Sequence, residues 1–353
     1  MRRALELAKR AGDGTRPNPR VGAVVVKDGK LVGEGYHRKA GQPHAEVLAL
    51  QRAGGKARGA DLYVTMEPCS SHGRTPPCTG AIRRAGIRRV FYGSSDIDSR
   101  NAARSEKILK QFGIQVMRGV LKRQCDPLNE DYFHWTRVHE PWVILKLAMT
   151  LDGSLAVPGQ RWVTGSEARA EVQQIRAGCD AILVGAETVR KDNPRLTVRN
   201  MGGIQPWRVV VTRSGKLPCR ARIFTDDHRG RTLVYRRKNW SHILKDLHRR
   251  GVCRMLVEGG AETAADLQAA GKIHELIFHL SPQAGLSRGP RWEGWLNALP
   301  GDIRFRSLGR DMELRGMGPT RVLFQAGPVR YSLSMDPHGR PSSKRERRKG
   351  FSR

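Results

Sequence analysis

Four residues in the N-terminal part of the chain have types and spacings that suit a hydrolytic zinc centre. His44 and Glu46 lie two positions apart, and Cys78 follows Cys69 after an interval of eight residues. One imidazole and two thiolates can fill three corners of a zinc tetrahedron and leave the fourth for water. Zinc lowers the pKa of that water, and Glu46, which we do not expect to be a ligand, can carry its proton to a departing amine. The pattern predicts deamination of a ring amine.

Each of these residues also has an ordinary structural explanation. A lone histidine is common in loops, and free cysteines are often small buried core residues. The ordered combination of His44, Glu46, Cys69 and Cys78 favours zinc over that explanation. We therefore predict His44, Cys69 and Cys78 as metal ligands and Glu46 as the catalytic residue.

Hydrophobic periodicity predicts the elements that position these residues. Asp28-Gly29 is a hairpin signal between two apolar runs in residues 21–36. Because thiolates are stabilised at helix starts, we expect Cys69, after Pro68, to begin a turn of helix as His44 does. Further elements alternate along this half. Helices are predicted over residues 1–12, 44–53, 77–85, 102–112 and 122–138, and strands over 61–66, 88–93 and 114–118.

A second alternating unit begins near Glu140-Pro141, where the proline ends the preceding helix. Its strands are predicted over residues 142–148, 181–185, 207–212, 232–235, 254–258 and 275–280, and its helices over 168–177, 241–250 and 261–270. Residues 281–318 read as loop with at most short strands, and 321–325 as a closing strand. Alternation of this kind predicts two α/β domains, 1–139 and 140–330, followed by a basic, disordered tail over 331–353.

Composition limits the cellular setting and the partners. The 353 residues carry a formal net charge of +31, from 64 Lys and Arg against 33 Asp and Glu. This charge implies anionic partners, among which nucleic acid, nucleotide cofactors and sugar phosphates all qualify. No apolar stretch is long enough for a membrane span, and no signal peptide is recognisable. Six cysteines without a secretory signal fit a reducing cytoplasm. The composition is compatible with either a monomer or a homo-oligomer.

The zinc motif, together with the stretches 17–22, 43–46 and 68–78, resembles the cytidine-deaminase-like family and, within it, the pyrimidine deaminase of riboflavin biosynthesis. The resemblance implies a three-layer α/β fold. It also implies removal of an amine from a diaminohydroxypyrimidine that carries a ribosyl-phosphate amine. By the same resemblance, Asn18 hydrogen-bonds the pyrimidine and Arg74 meets the phosphate.

Two stretches depart from this family's pattern. Ser71 stands where the family usually has a histidine that contacts substrate. The residues 96–100, Asp-Ile-Asp-Ser-Arg, stand where it has Asp-Pro-Asn-Pro. The zinc chemistry is intact while the substrate cradle is altered, so a reduced or changed deaminase activity stays open.

Four motifs in the second unit, in residues 146–153, 162–165, 185–189 and 192–199, resemble the reductase half of the same bifunctional family. The resemblance implies a dihydrofolate-reductase-like α/β fold, which uses NADPH to reduce the ribosyl ring to a ribityl chain. No G-x-G-x-x-G follows a strand, so a Rossmann site is not supported. The turn Gly259-Gly260 before a helix suits the phosphates of the cofactor.

Site residues of the reductase follow from the resemblance, position by position. The cofactor contacts are Ala148, Trp162, Thr188, Asp192, Gly260, Ala261, Glu262, Thr263, Ala264, Ala265 and Asp266. The substrate contacts are Arg176, Leu196, Arg199 and Glu258, of which the two arginines suit a phosphate. Hydride transfer needs no protein nucleophile, and we name no catalytic acid. Departures are Gln160 for serine, Thr212-Arg213 for Asp-Ser, and a shorter segment over 235–254.

Three functions compete on these observations. A bifunctional zinc deaminase and NADPH reductase explains both motif sets in their order along the chain. A nucleic-acid-directed zinc deaminase would explain the charge, but the eight-residue interval between the cysteines and the reductase motifs argue against it. A reductase with an impaired deaminase domain is the third. We expect the first, acting on a phosphorylated pyrimidine, with no membrane partner.

Overall fold

Two sheets, one in each half of the chain, organise the molecule. The computed structural model describes residues 1–98, 100–102, 104–199, 205–236, 239–283 and 303–317. The elements of the first half are α1 (Arg2–Lys9), β1 (Gly22–Lys27), β2 (Lys30–Tyr36), α2 (Ala45–Ala53), β3 (Asp61–Met66), α3 (Cys78–Arg84), β4 (Arg89–Ser94), α4 (Arg104–Gln111), β5 (Gln115–Met117), α5 (Lys122–Cys125) and α6 (Glu130–Val138).

The elements of the second half continue the alternation of strand and helix. They are β6 (Trp142–Thr150), α7 (Ser166–Ala177), β7 (Ala181–Gly185), α8 (Ala186–Asp192), β8 (Trp207–Thr212), α9 (Arg222–Thr225), β9 (Thr232–Arg236), α10 (Trp240–Arg249), β10 (Arg254–Val257), α11 (Ala261–Ala269), β11 (Glu275–Ser281), β12 (Arg304–Leu308) and β13 (Asp311–Met317).

The first sheet has five strands in the order β2-β1-β3-β4-β5. β1 is antiparallel to both β2 and β3, whereas β3, β4 and β5 run parallel. Successive side chains of a strand point to opposite faces, and both faces are covered. One face packs on α2, α3 and α4, and the other face packs on α1. The result is a three-layer α/β unit.

Two glycines of β2 let α2 lie directly on the first sheet. A Cβ atom at Gly33 would lie 2.2 Å from the carbonyl oxygen of Ala49, and one at Gly35 would lie 2.7 Å from that of Ala45. Because real Cβ atoms do not approach backbone so closely, only glycine permits this packing. The close packing fixes the start of α2, where His44 and Glu46 stand.

The second sheet has eight strands in the order β12-β13-β11-β6-β10-β7-β8-β9. The six strands from β11 to β9 in this order are parallel, and β13 is antiparallel to both β11 and β12. Helices α10 and α11 cover one face, and α7 covers the other. The carboxyl ends of the parallel strands meet at one edge, where α/β proteins bind ligands.

Ion pairs between the halves hold the two units together. Arg16 contacts Asp180 in the turn before β7, with Nε–Oδ1 at 3.1 Å. Arg254, at the start of β10, contacts Asp131 of α6 at 3.4 Å. The ion pair with the second unit therefore lies only two positions before Asn18 in the chain.

The alternation predicted from the sequence is confirmed, with three corrections. The helix predicted over 122–138 is interrupted by a 3-10 turn at Asp126–Asn129, because Pro127 has no amide hydrogen to donate. Two short helices, α8 and α9, fall where none was predicted. The loop with at most short strands that was predicted over 281–318 is corrected within the described residues 303–317, where β12 and β13 form a hairpin.

The sequence did not locate the hairpin of β12 and β13, because its strands are rich in charged residues and lack an apolar period. Arg306 contacts Glu313 across the hairpin at 2.7 Å, and Arg315 contacts Glu275 on β11. Such partners become visible only when the strands are paired. The strand predicted over 321–325 and the tail predicted over 331–353 lie outside the described residues.

Within the described ranges the longest helix, α7, has 12 residues, and none of the helices is long and apolar enough to cross a bilayer.

Candidate zinc centre and reductase site

The three predicted ligands converge on one point. Nδ1 of His44 lies 3.5 Å from Sγ of Cys69 and 3.3 Å from Sγ of Cys78. All three ligand atoms lie within 4.8 Å of one another. Zinc–sulfur bonds of about 2.3 Å and zinc–nitrogen bonds of about 2.0 Å at tetrahedral angles place nitrogen and sulfur about 3.5 Å apart. The donor set and its spacing therefore fit a zinc ion.

The predicted helix starts at 44 and 77 supply two of these ligands, whereas the turn of helix expected at Cys69 is absent. His44 precedes α2 as expected, but Cys69 lies in the loop after β3, and Cys78 begins α3. Both cysteines follow a proline, so the local sequence does not decide between them, and in the structure Pro77 is the N-cap of α3. The helix still stabilises Cys69, because the Cys78 amide donates to its Sγ at 3.3 Å.

Thr75 orients the His44 ring. Its hydroxyl lies 3.2 Å from Nε2 of His44. With Nδ1 turned to the two sulfurs as a metal ligand, Nε2 carries the hydrogen and donates it to Thr75. The sequence analysis assigned no role to Thr75, although its position between the two cysteines placed it near the predicted metal site.

Glu46 is buried beside the ligands, with 3 % of its surface exposed. Burial raises the pKa of its carboxyl group above the usual value. A buried carboxyl group with a raised pKa binds a proton more readily, so it can accept a proton and return it, which is what a deaminase requires.

His37 fixes the orientation of Asn18. Nδ1 of His37 lies 3.2 Å from the carbonyl oxygen of Pro43, which requires a hydrogen on Nδ1. Nε2 then accepts the hydrogen bond from Nδ2 of Asn18 at 3.1 Å. Burial lowers the pKa of His37, which keeps the ring neutral. The sequence did not single out His37, whose contact with Asn18 spans two strands.

The residues that depart from the family pattern are both engaged in contacts. Ser71 hydrogen-bonds Asn101, and Asp98 forms an ion pair with Arg100. Arg74 is exposed in the loop between the two cysteines. An exposed guanidinium at this place can meet a phosphate that arrives from solvent.

The predicted cofactor contacts gather at the carboxyl ends of parallel strands in the second sheet. Thr188 lies on α8, directly after β7, and the stretch 260–266 follows β10, the neighbouring strand. The two helix starts touch, since a Cβ atom at Gly185 would lie 2.8 Å from Oγ1 of Thr263. Ala148 lies toward the carboxyl end of β6, which is next to β10. This edge presents backbone amides suited to phosphate groups.

Arg176 and Glu258 form a bidentate ion pair with N–O distances of 2.6 and 2.7 Å. Burial alone would raise the pKa of Glu258, but the Arg176 guanidinium lowers it overall. Arg176 also donates to the carbonyl oxygen of Thr197 at 3.3 Å. Its charge is therefore already paired, which leaves Arg199, with an exposed side chain, as the more available phosphate partner.

The remaining predicted contacts differ in exposure. Leu196 is buried in an apolar cluster with a φ of 52°, so that only its backbone can face a ligand. Trp162 is 50 % exposed and lies beneath the guanidinium groups of Arg161 and Arg169. The side chains of Thr263 and Ala264 are buried, whereas Asp192, Glu262 and Ala265 are exposed. Asp266 is partly buried and contacts Arg213 at 3.7 Å, as Glu262 does at 3.0 Å.

Lys146 is a further charged residue at this site that the sequence reasoning did not assign. It lies on β6, two positions before Ala148, and burial lowers its pKa to about 8. Glu258 and Arg176 are among the charged groups that act on it. The signal was available, because a lysine within an apolar strand is rarely structural.

The fold and the sites define a class. A three-layer α/β unit with a His-Cys-Cys cluster that fits zinc and a buried glutamate is typical of a hydrolytic deaminase, and here an α/β reductase unit follows it. Residues 1–94 match the family model of the cytidine and deoxycytidylate deaminase zinc-binding region, and residues 141–284 match that of the RibD C-terminal domain.

Relatives of this architecture are known across their full length. The riboflavin biosynthesis protein RibD of Aquifex aeolicus is 37 % identical over 355 residues, covering 92 % of this chain and 96 % of the relative. The structure of Acinetobacter baumannii RibD matches with a TM-score of 0.80 at 34 % identity, covering 90 % of this chain and 97 % of that one. The structure of a Thermotoga maritima diaminohydroxyphosphoribosylaminopyrimidine deaminase/5-amino-6-(5-phosphoribosylamino)uracil reductase matches with a TM-score of 0.76 at 33 % identity. The match covers 90 % of this chain and 97 % of that one.

The chain belongs to the RibD family. It is a bifunctional enzyme of riboflavin biosynthesis, a zinc-dependent deaminase joined to a reductase that uses NADPH. The predicted folds of both halves, cytidine-deaminase-like and dihydrofolate-reductase-like, agree with these matches.

Proposed function

We propose that the two sites act in succession on one phosphorylated pyrimidine, with His44, Cys69 and Cys78 as zinc ligands. The observation that carries this proposal is the spacing of 3.3 and 3.5 Å from Nδ1 to the two sulfurs, beside a buried carboxyl group. When bound there, zinc supplies the Lewis acidity that lowers the pKa of a water molecule. Glu46 takes the proton of this water and delivers it to the departing amine. Asn18 orients the pyrimidine, and Arg74 binds the phosphate.

In the second half, NADPH supplies the hydride for the sugar carbon that bears the amine. The helix starts after β7 and β10, with the contacts predicted at 188, 192 and 260–266, hold the cofactor, together with Ala148 and Trp162. Arg199 binds the phosphate of the substrate, while Arg176 orients Glu258. As the bond from this carbon to the ring oxygen breaks, the oxygen needs a proton. Lys146, with a pKa of about 8, is charged at neutral pH and can donate it.

The setting is proposed on coarser grounds. We propose that the enzyme is cytoplasmic, which its six free cysteines support. We also propose that it works without a nucleic-acid or membrane partner. The proposed division into domains falls between residues 139 and 140, and a homo-oligomer is compatible with it. The stretch 331–353 is proposed as a tail that is not needed for chemistry.

The test supplies the diaminopyrimidine ribosyl phosphate to the purified protein, first without NADPH and then with it. We expect ammonia release in the first step, NADPH oxidation only in the second, and about one zinc ion per chain. No ammonia release from the diaminopyrimidine, with NADPH oxidation when the deaminated pyrimidine is supplied instead, would support a reductase with an impaired deaminase domain. Deamination of RNA or DNA at ~150 mM salt, with the small substrate untouched, would support the nucleic-acid alternative.

A further inference from the structure

One side chain, Asn101, holds the start of the loop between the two zinc cysteines. Its Oδ1 accepts hydrogen bonds from the amides of Ser70 and Ser71, at 3.1 and 3.0 Å, and from the Ser71 hydroxyl at 2.8 Å. Asn101 is 8 % exposed. The two residues that follow Cys69 therefore direct three donors to a single buried acceptor.

Asn101 is itself fixed by a chain of buried groups that returns to the other side of Cys69. Its Nδ2 donates to Asp96 at 3.1 Å, and Asp96 also accepts the Tyr132 hydroxyl at 2.9 Å. The Asp96 amide donates to Glu67 at 3.1 Å. Glu67 stands two positions before Cys69, so this chain of hydrogen bonds engages residues on both sides of this ligand.

The far end of the loop is tied to the zinc site as well. Thr75 contacts Nε2 of His44 at 3.2 Å, and the Thr79 amide donates to the carbonyl oxygen of Cys69 at 3.2 Å. Arg74, between the Asn101 contacts at Ser71 and the attachment at Thr75, is exposed. The loop is therefore an arc fixed at both ends, with the proposed phosphate contact at its exposed part.

We propose that Ser71 and Asn101 are a positioning pair for the deaminase site. They fix Cys69 in its ligand position and hold the arc that carries Arg74 and Thr75. Ser71 stands in place of the family's usual histidine, and Asn101 directly follows the second departing stretch, 96–100. Ser71, one of the two departures, therefore hydrogen-bonds the residue that adjoins the other. The inference rests on the deaminase function proposed above, but the pairing and its effect on metal binding can be measured without turnover.

The experiment compares Ser71→Ala, Asn101→Ala and the double variant with the full-length wild type. Zinc affinity is measured by chelator competition, ligand geometry by the visible spectrum of the cobalt-substituted protein, and deamination by kcat and KM. Reductase activity of the same samples reports folding. Ser71→Thr keeps the hydroxyl, and Asn129→Ala removes an equally buried amide that binds the Arg20 backbone instead of the loop.

We expect Asn101→Ala to weaken zinc binding by about 10- to 100-fold, to shift the cobalt spectrum and to raise KM, because partners of metal ligands typically carry effects of this size. Ser71→Ala should have the same effects to a smaller extent. The double variant should resemble Asn101→Ala, and both Ser71→Thr and Asn129→Ala should keep wild-type zinc affinity.

Additive effects in the double variant, or wild-type zinc affinity and cobalt spectrum in Asn101→Ala, would overturn the pairing. Where Asn101→Ala lacks reductase activity and is not folded, Ser71→Ala decides alone: an unchanged spectrum and affinity contradict the proposal. A wild type that binds zinc with the expected variant pattern yet releases no ammonia would refute the proposed deaminase function and leave the pairing standing.

Discussion

The deaminase site and the reductase site differ in how their residues are held. Around the proposed zinc ligands, Cys69, His44 and the loop between the cysteines each have a partner within hydrogen-bond distance. At the reductase edge, Arg176 and Glu258 are paired, whereas Arg199 is exposed and Trp162 is half exposed. The first site is organised by the chain alone, while the second offers strand ends and helix starts that a large cofactor must complete.

This difference teaches where a substitution should act. In the zinc site a changed side chain should alter one chemical step strongly, because its geometry is fixed. In the reductase site it should mainly weaken binding, because the contacts are distributed over a wide surface. The predictions below test this contrast in order of expected effect.

Glu46→Gln should give the largest loss. Its amide keeps the size of the side chain but cannot carry a proton, so deamination should fall by about 10²- to 10⁴-fold. Zinc content and reductase activity should stay at wild-type levels. Ammonia release and metal analysis check this. Deamination that survives in Glu46→Gln would show that another group moves the proton.

Arg199→Ala should have an intermediate effect, confined to reduction. Loss of a charge-assisted hydrogen bond, worth about 1.5–3 kcal/mol, should lower kcat/KM for NADPH-dependent reduction by about 10- to 100-fold, mostly through KM. Arg220→Ala, at another exposed arginine of the same half, serves as control and should be neutral. Equal losses of deamination and reduction in Arg199→Ala would contradict separate sites.

Acid should destabilise the molecule through buried histidines outside the zinc site. Burial lowers the pKa of His134 and of His279 to about 4, and that of His274 well below its usual value. These rings are neutral in the folded protein but bind protons when it unfolds. Their contribution to the free energy of unfolding is therefore complete above about pH 6.5 and is lost as pH falls toward 4. Each ring can add up to about 1.4 kcal/mol per pH unit to the slope of the free energy of unfolding against pH.

Urea unfolding between pH 7 and pH 5 measures this slope. In His274→Gln the free energy of unfolding should depend less steeply on pH than in the wild type, whereas the exposed His242→Gln should leave the slope unchanged. Identical slopes in all three proteins would show that buried histidines do not set the acid sensitivity.

Much of the fold and the centre of the zinc site could be predicted, because their signals are local. Strand and helix periods, and the spacing of His44 and Glu46, lie within single elements. What could not be predicted depends on distant pairs. Ser71 meets Asn101 across 30 positions, and Arg176 meets Glu258 across 82. Only the folded chain shows that Arg176 is already paired.

The hairpin of β12 and β13 illustrates the same limit. Its charged residues read as loop until Glu313 and Glu275 supply partners for Arg306 and Arg315. At Pro127, by contrast, the interruption of the predicted helix had a local signal, since proline cannot donate to the preceding turn. The turn of helix expected at Cys69 had no such local signal against it, because both Cys69 and Cys78 follow a proline.

The most direct test of two separate sites on one chain is complementation between variants. Glu46→Gln and Arg199→Ala are mixed and given the diaminopyrimidine ribosyl phosphate with NADPH, in parallel with a Glu46→Gln/Arg199→Ala double variant. Each single variant should produce little of the deaminated and reduced product, the mixture should restore its formation, and the double variant should not. A mixture no more active than its components would contradict the account.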